Sequence, residues 1–274
     1  MAENPLGRDT DYPQRYAPEL LFPVPRQDNR RALAIDESVL AFRGTDLWRG
    51  YELSWLNPVG LPRVGILEMR LPCDSPNLVE SKSFKLYLNS LNQERFADEE
   101  TLLACIRKDL TAVTGGAPEF DLLDVEQLAV VNRPLAGSVG LDSLTPGIEY
   151  YEPRASLLRT EAGPVVEESL HSHLFRSNCP ITAQPDWGSF YIRYRGPAID
   201  RDALLAYIVS YRQHEGFHEH CVEQMFMDIV EWCEPEWLVL GIQFLRRGGL
   251  EINPWRWSLG APVDGVPGVR TARQ

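Results

Sequence analysis

The chain has 274 residues, of which 44% are hydrophobic and 24% charged, so its composition is that of an ordinary globular protein and excludes wholesale disorder. Its formal net charge of −12 argues against direct binding to a nucleic-acid backbone. No apolar run is long enough to span a membrane or has the form of a signal peptide, and the five cysteines have no disulfide or zinc-ribbon spacing. These features predict a cytoplasmic protein.

In chain order, the sequence predicts two structured modules with less regular segments around them. Gly and Pro punctuate the connector between the modules and the last residues of the chain. The expected segments are an irregular arm (residues 1–40), a first module (41–135), a connector (136–166), a second module (167–258) and a flexible tail (259–274).

The two modules repeat one order of elements. A shift of 121 residues places residues 86–109 on residues 207–230 and aligns Phe96 with Phe217. We interpret the modules as a diverged tandem duplication of an α+β unit. The predicted strands are residues 63–71 and 189–195, and the predicted helices are residues 98–113, 202–211 and 219–230, with a further helix beginning near Glu80.

Cys179 is the first candidate for chemistry. Pro180 follows it and favours an extended backbone, which places the thiol on a loop, and Asp186 comes seven residues later. A thiol and a carboxyl group on one short loop can face the same ligand as nucleophile and proton donor. The alternative is a packed, inert thiol beside a solvated carboxylate.

Residues 214–218, His-Glu-Gly-Phe-His, match the H-E-x-x-H motif of zinc proteases. On a helix the two histidines would share a face and bind zinc. Gly216 weakens a helix at its centre, and the repeat places Phe217 at a turn between helices, so we expect no metal here. The pair His218 and Glu219 is predicted to act as a polar dyad instead.

Two further segments could bind an anion. Residues 80–85, Glu-Ser-Lys-Ser-Phe-Lys, lie at a probable helix start, which suits either phosphate binding or ordinary capping. Arg247 and Gly248 suit a cofactor phosphate or a hairpin turn equally well. No G-x-G-x-x-G motif follows a strand, so a Rossmann dinucleotide site is not supported.

Four segments together resemble one family. They are ESKSFKLYLNS, NCPITAQPD, EGFHEHC and RRGGLEINPWR. The combination resembles the 7-cyano-7-deazaguanine reductases of the queuosine pathway in their long, two-module form, and it covers residues 41–257. The resemblance implies tandem tunnelling-fold modules, each an antiparallel sheet backed by a helix pair, NADPH as cofactor, and a homodimer.

The resemblance also implies roles for individual residues. Cys179 would attack the nitrile of 7-cyano-7-deazaguanine to form a thioimide, and Asp186, expected to be buried beside Trp187, would donate a proton. NADPH would then reduce the adduct, and His218 would help place the substrate and shuttle protons. The implied substrate-binding residues are Val79, Glu80, Ser81, His218 and Glu219, and the implied cofactor-binding residues are Ser81, Lys82, Arg247 and Gly248.

Because Glu80 to Lys85 and Cys179 fall in different modules, we expect the site where the two halves meet, within a chain or across a dimer. The alternative function is a zinc-dependent hydrolase, either a cyclohydrolase of the same fold or a metalloprotease through residues 214–218.

Overall fold

The computed structural model describes residues 12–13, 15–126, 137–264, 270–271 and 273–274. The chain divides into two compact units. Unit 1 comprises residues 1–32, 45–130 and 246–252, and unit 2 comprises residues 33–44, 131–245 and 253–274. The predicted division placed Arg247 and Gly248 in the second module, whereas the structure places them in unit 1.

Unit 1 contains an antiparallel sheet in which one strand, β3, pairs with β2 on one side and β5 on the other. The β2–β3 hairpin carries a bulge between Gly50 and Leu53 and ends at the pair Leu56 and Pro62. A small second sheet pairs β1 with β4. The elements are β1 (Pro23–Pro25), α1 (Arg26–Ala32), β2 (Arg43–Leu56), β3 (Pro62–Pro72), β4 (Asn77–Val79), α2 (Ser81–Ser90), α3 (Glu99–Thr114) and β5 (Glu119–Leu123).

The helices of unit 1 form where capping residues and apolar spacing agree. Asp98 caps α3 by accepting from the Thr101 N–H, and Gly115 ends the helix at φ +67°, a conformation that suits glycine. Apolar residues spaced four apart on α3 are fully buried against the sheet. These residues are Leu102, Ile106 and Leu110.

Unit 2 has a largely antiparallel sheet in the order β11, β10, β9, β7, β6, with β8 also paired to β9. Its long central strand β9 confirms the predicted strand at residues 189–195. The elements are β6 (Val139–Gly140), β7 (Val166–Ser172), β8 (Arg176–Asn178), β9 (Pro185–Gly196), α4 (Arg201–Ser210), α5 (His218–Cys233), β10 (Trp237–Phe244) and β11 (Leu250–Trp257).

Both units contain a helix of 10 residues followed by one of 16 residues. Within unit 1 the Tyr87 hydroxyl donates to Asp109 at 2.7 Å, and within unit 2 the Tyr207 hydroxyl donates to Asp228 at 2.5 Å. The starts of α2 and α4 are 120 residues apart (201 − 81), and those of α3 and α5 are 119 apart (218 − 99). The predicted shift of 121 residues was therefore wrong, because an ungapped shift cannot follow a loop that is one residue shorter in unit 2.

The ends of the chain are more ordered than predicted. The segment expected to be an irregular arm contains β1 and α1, although residues 1–11 and 14 lie outside the described residues. In the expected flexible tail, Arg273 donates to the Gly188 carbonyl and Gln274 donates to the Phe244 carbonyl. Hydrogen bonding to strand backbone therefore fixes the described tail residues. Within the described ranges, none of the helices has the length and apolarity needed to cross a membrane.

Candidate active site

A tight hairpin between β8 and β9 presents Cys179. The last ladder pair is Asn178 with Pro185, and the Cys179 N–H extends it by donating to the Gln184 carbonyl at 2.9 Å. Cys179 therefore has the extended geometry that Pro180 predicted, and its side chain is half-buried at the tip of the hairpin.

The turn that follows Cys179 holds a strained residue. Ala183 has φ +53°, a left-handed conformation that a residue with a Cβ rarely adopts. Its N–H donates to the Cys179 carbonyl at 2.9 Å, which closes the turn around the cysteine. Such a strained conformation persists only where surrounding contacts enforce it. The closed turn therefore holds the backbone at Cys179 in one conformation.

Asp186 lies diagonally across the hairpin from Cys179. It pairs with Ser177, two residues before Cys179, so strand alternation directs both side chains to the same face. Asp186 is 5% exposed, which confirms its predicted burial. The predicted burial beside Trp187 was wrong, because adjacent strand residues face opposite sides and Trp187 is 37% exposed.

His218 is the first residue of α5 and contacts Asp186. Its Nε2 lies 3.3 Å from Asp186 Oδ2, and its ring stacks on Phe244 with centroids 3.6 Å apart and planes 3° apart. The His218 Nδ1 is buried and has no hydrogen-bond partner within the described ranges. The stack and the carboxylate therefore fix the orientation of this imidazole.

The segment that matches the zinc motif is extended, not helical. The Asn178 N–H donates to the His214 carbonyl, and the Gly216 N–H donates to the Asn178 carbonyl, so residues 214–216 run beside β8. The helix begins only at His218, as the predicted turn at Phe217 requires. His214 and His218 therefore do not share a helical face, and no cluster of three metal-binding side chains occurs in the described part of the chain.

Glu219 follows His218 in the first turn of α5 and is 3% exposed. A buried carboxylate at this position is a hydrogen-bond acceptor beside the Cys179 hairpin. In unit 2, the structure thus brings together Cys179, Asp186, His218 and Glu219.

The other cysteines have inert surroundings. Burial raises the pKa of Cys221 and of Cys233 to about 12, and burial also raises the pKa of Cys105. Cys73 is fully buried. Since the thiolate is the nucleophile, these four thiols are poor candidates for covalent chemistry.

The predicted helix start in unit 1 is capped by its own sequence. Glu80 is the N-cap of α2, and its carboxylate accepts from the N–H groups of Lys82 at 2.8 Å and Ser83 at 2.7 Å. The exposed Ser81 donates its hydroxyl to the same carboxylate at 3.4 Å. Burial raises the pKa of Glu80, although the backbone donors oppose this shift. The N–H groups of Lys82 and Ser83 are therefore already hydrogen-bonded to Glu80 and are not available to a phosphate.

Val79 precedes this cap as the last residue of β4. It pairs with Pro23 of β1, and its side chain is buried in the unit 1 core. Only its backbone could then reach a ligand.

The predicted cofactor residues Arg247 and Gly248 lie in a hairpin whose two-residue turn is Gly248 and Gly249. Gly248 and Gly249 have φ +55° and +78°, and Arg247 and Leu250 exchange backbone hydrogen bonds, as in a type I′ turn. A Cβ added at Gly248 would lie 3.3 Å from the Lys85 ammonium. Within unit 1, this turn and α2 therefore bring cationic side chains close together.

Tyr51 supports the same turn. Its N–H donates to the Gly249 carbonyl at 2.9 Å, its hydroxyl donates to Glu251 at 2.8 Å, and the Arg246 guanidinium lies 5.0 Å from its ring centroid. Arg246 is thus held over an aromatic face beside Arg247. Lys82, Lys85, Arg246 and Arg247 thus lie on α2 and at this turn of unit 1, and we call them the basic cluster. One acidic side chain belongs to the same surroundings, since Lys85 Nζ lies 3.6 Å from the Glu52 carboxylate.

Two family models match the chain, one in each half of the sequence. A family model described as "Nitrile reductase, 7-cyano-7-deazaguanine-reductase N-term" matches residues 12–122, and one described as "QueF-like protein" matches residues 185–260. A Chromohalobacter salexigens protein named NADPH-dependent 7-cyano-7-deazaguanine reductase is 51% identical over 272 residues, 98% of this chain and 96% of that protein. The chain belongs to the 7-cyano-7-deazaguanine reductase family.

Other reductases of this family show the same similarity. Proteins of that name from Bordetella avium and Bordetella pertussis are 46% and 47% identical over 276 residues, covering all of this chain and 99% of each relative. A crystal structure of an archaeosine synthase, QueF-like in the apo form, is 18% identical with a TM-score of 0.32, covering 37% of this chain and all of that one. A structural likeness this weak carries no argument.

The sequence assigned no individual role to two side chains of this reductase-family chain, although Lys85 lies in the segment 80–85 that was predicted to suit an anion. Phe244 stacks on His218 from a strand 26 residues further along the chain, and Lys85 lies beside the hairpin turn at Gly248. Phe244 ends an apolar strand like many core residues, so no sequence signal separates it from the core. Lys85 lies in the ESKSFK motif, which could have drawn attention to it.

Proposed function

We propose that this chain reduces the nitrile of 7-cyano-7-deazaguanine to a primary amine through a covalent thioimide on Cys179. The observation that carries the proposal is the hairpin that directs Cys179 and Asp186 to one face, with His218 on Asp186. The family assignment makes the chain an NADPH-dependent oxidoreductase of the queuosine pathway, with NADPH as cofactor.

The first step adds the sulfur of Cys179, as the thiolate, to the nitrile carbon. The C–S bond forms, one C–N π bond breaks, and the nitrogen takes a proton from Asp186, which gives a neutral thioimide. A nitrile accepts hydride poorly, whereas a protonated thioimide is strongly electrophilic, so covalent catalysis divides one difficult step into easier ones. Support for Asp186 as this donor comes from its burial and from its position on the same face of the hairpin as Cys179.

The later steps need two hydrides and further protons. NADPH, when bound, supplies the hydrides, one to the thioimide and one to the imine that forms when Cys179 leaves as thiolate. His218 would move protons to the substrate nitrogen, an assignment supported by its contact with Asp186, since its Nε2 lies 3.3 Å from Asp186 Oδ2. Its stack on Phe244 keeps the ring in that orientation.

Substrate recognition is assigned to the carboxylates. Glu219, buried beside His218, would accept hydrogen bonds from the N–H groups of the pyrimidine ring. Glu80 would do the same with the acceptor capacity that remains after capping, assisted by the Val79 backbone and the Ser81 hydroxyl.

The basic cluster of unit 1 fits the cofactor. Lys82, Arg247 and the neighbouring Lys85 and Arg246 are cations in a protein with a net charge of −12, and phosphate groups need such a local concentration of positive charge. Ser81 and the Gly248 backbone would add hydrogen bonds. The α2 N–H groups that bond Glu80 would not contact the cofactor.

The order of elements supports the tunnelling fold. Unit 2 runs β7, β9, α4, α5, β10, β11, two antiparallel strands, a helix pair and two more antiparallel strands, and unit 1 repeats two strands, two helices and a strand. A homodimer without nucleic-acid or membrane partners, located in the cytoplasm, stays a prediction from the sequence.

Intact-protein mass measurement tests the proposal. Incubation with 7-cyano-7-deazaguanine in the absence of NADPH should add the mass of one substrate molecule per chain. Cys179→Ala should abolish the adduct, while Cys105→Ala, a matched change at a thiol outside the site, should keep it. A wild-type protein that forms no adduct, or an adduct that survives Cys179→Ala, would refute the assignment.

A further inference from the structure

Unit 1 contains a hairpin with the backbone pattern of the Cys179 hairpin. The β2–β3 ladder ends at Leu56 paired with Pro62, as the β8–β9 ladder ends at Asn178 paired with Pro185. The next residue, Asn57, donates its N–H to the Leu61 carbonyl at 3.0 Å, as Cys179 donates to Gln184. The two turns therefore hold Asn57 and Cys179 at matching positions.

A parallel segment flanks each hairpin in the same way. The Leu56 N–H donates to the Glu94 carbonyl and the Phe96 N–H donates to the Leu56 carbonyl, both at 2.9 Å. Asn178 makes the same two bonds to His214 and Gly216. In both units, the second helix of the pair begins two or three residues later.

This match assigns a counterpart in unit 1 to each residue of the candidate active site. Glu99 and Glu100 open α3 as His218 and Glu219 open α5. Ladder pairing supplies the other counterpart, since Trp55 pairs with Arg63 and Ser177 pairs with Asp186. The correspondences are Asn57 for Cys179, Arg63 for Asp186, Glu99 for His218 and Glu100 for Glu219.

These counterparts line one cavity of about 620 Å³ within unit 1. This volume lies in the range of small-molecule sites, about 300–1,000 Å³. Phe96 is partly exposed in this cavity and offers an aromatic surface to a flat ring, whereas Trp55 is 3% exposed and belongs to the core beneath it. Its lining residues include Trp55, Asn57, Arg63, Phe96, Glu99 and Glu100.

The side chains change the chemistry while one acceptor is retained. Glu100 keeps the carboxylate found at Glu219, which can accept from the N–H edge of a heterocycle. Arg63 replaces the acid at Asp186 with a guanidinium, which attracts an anionic substituent. Asn57 replaces the thiol, so that no covalent bond can form.

We infer that this cavity is a second ligand site, which reversibly binds a planar heterocycle with an N–H edge and an anionic substituent. The N–H edge bonds Glu100, the anionic group pairs with Arg63, and the ring packs against Phe96. The site is a noncovalent counterpart of the Cys179 site.

Pterin-6-carboxylate is a fluorescent probe with both features, and unsubstituted pterin lacks the anion. Fluorescence anisotropy is measured on the full chain carrying Cys179→Ala and Glu219→Gln, which removes the thiol and replaces the carboxylate acceptor of the unit 2 site with an amide. We expect saturable binding of one pterin-6-carboxylate per chain. Glu100→Gln and Arg63→Gln should each weaken it about tenfold or more, since each removes a charge-assisted contact.

Matched charge changes serve as controls. Glu126→Gln and Lys108→Gln alter exposed side chains of unit 1 outside the cavity and should leave the affinity unchanged. Pterin should bind more weakly than its carboxylate, and Arg63→Gln should remove that difference. Because Glu100 and Arg63 are exposed, these variants should fold, which far-UV circular dichroism verifies. Absence of saturable binding, or binding that neither variant weakens, would overturn the inference.

Discussion

The hairpin at Asn57 and the hairpin at Cys179 share a backbone and differ in nearly every side chain that matters. Each turn has a residue with positive φ in its penultimate position, Gly60 in unit 1 and Ala183 in unit 2. Backbone hydrogen bonds maintain the shape in both cases, and in unit 1 the Asn57 side chain adds to them by accepting from the N–H groups of Val59 and Leu61. The comparison teaches that the duplicated fold supplies geometry, whereas a few substitutions decide whether covalent chemistry is possible.

The largest expected effect comes from removing Asp186, the acid of unit 2 whose counterpart in unit 1 is not acidic. Asp186→Asn keeps the shape and loses the proton donor, so thioimide formation should slow by about 10²- to 10⁴-fold while the substrate still binds. Stopped-flow absorbance with 7-cyano-7-deazaguanine measures the rate, and equilibrium titration measures the binding.

Asp202→Asn is the matched control, because Asp202 is an exposed residue on α4 of the same unit. Its rate should equal that of the wild type. An unimpaired rate in Asp186→Asn would assign the proton to another donor.

A second prediction concerns the imidazole that unit 2 has and unit 1 replaces with Glu99. Phe244→Leu removes the ring that stacks on His218, and loss of this stack should lower the turnover rate about threefold to tenfold. Phe175→Leu removes a ring of the same size that packs edge-on against Phe244, without a contact to His218 in the described ring pairs. Steady-state kinetics of both variants isolate the stacking effect.

A double-mutant cycle distinguishes positioning from general destabilisation. If Phe244 acts through the imidazole, Phe244→Leu should have little further effect on the rate in a His218→Gln background. Equal rate losses in both backgrounds would show that Phe244 contributes only to stability.

The N-caps of the first helices provide a comparison of stability. Glu80 accepts from two backbone N–H groups of α2, and its counterpart Asp200 accepts from the Ala203 N–H of α4. Glu80→Ala should lower the free energy of unfolding by about 1 kcal/mol, a typical value for a lost N-cap. Urea denaturation measures this change, with Asp200→Ala as the matched variant. Unchanged stability with lost activity would instead make Glu80 a ligand residue alone.

The sequence predicted the repeated elements well because their signals are local. Apolar residues at helical spacing and the N-cap Asp98 predict α3 to within one residue at each end, and strand alternation predicts β9. The ESKSFK and NCPITAQPD motifs identified the family, and the repeat correctly placed Phe217 before a helix. These signals need no knowledge of distant contacts.

The features that were missed depend on contacts between distant residues. Phe244 meets His218 only because β10 pairs with β9, and residues 246–252 join unit 1 only because the chain turns at Gly248. Burial of Asp186 was predicted beside the wrong neighbour, since strand alternation turns Trp187 away. The unit 1 cavity was also missed, because an ungapped repeat shift placed Phe217 on Phe96 and concealed the match between Glu100 and Glu219.

The smallest expected effect is a difference in acid sensitivity between the segments that flank the two hairpins. Burial lowers the pKa of His214 to about 4, with a further contribution from His220, whereas its unit 1 counterpart is Glu94. An unfolded histidine titrates near 6.5, so between about pH 6.5 and 4 the unfolded state binds a proton that folded His214 does not. The free energy of unfolding contributed by His214 therefore falls as the pH is lowered through this window.

Hydrogen exchange can test this difference segment by segment. Lowering the pH from 7 to 5 should reduce the protection of residues 214–221 more than that of residues 94–102, after correction for intrinsic exchange rates. His214→Phe keeps an aromatic ring next to Tyr211 and removes the titration, so it should reduce the extra loss in unit 2. The remainder would come from His220, whose pKa burial also lowers. Equal loss of protection in both segments would contradict the assignment of acid sensitivity to His214.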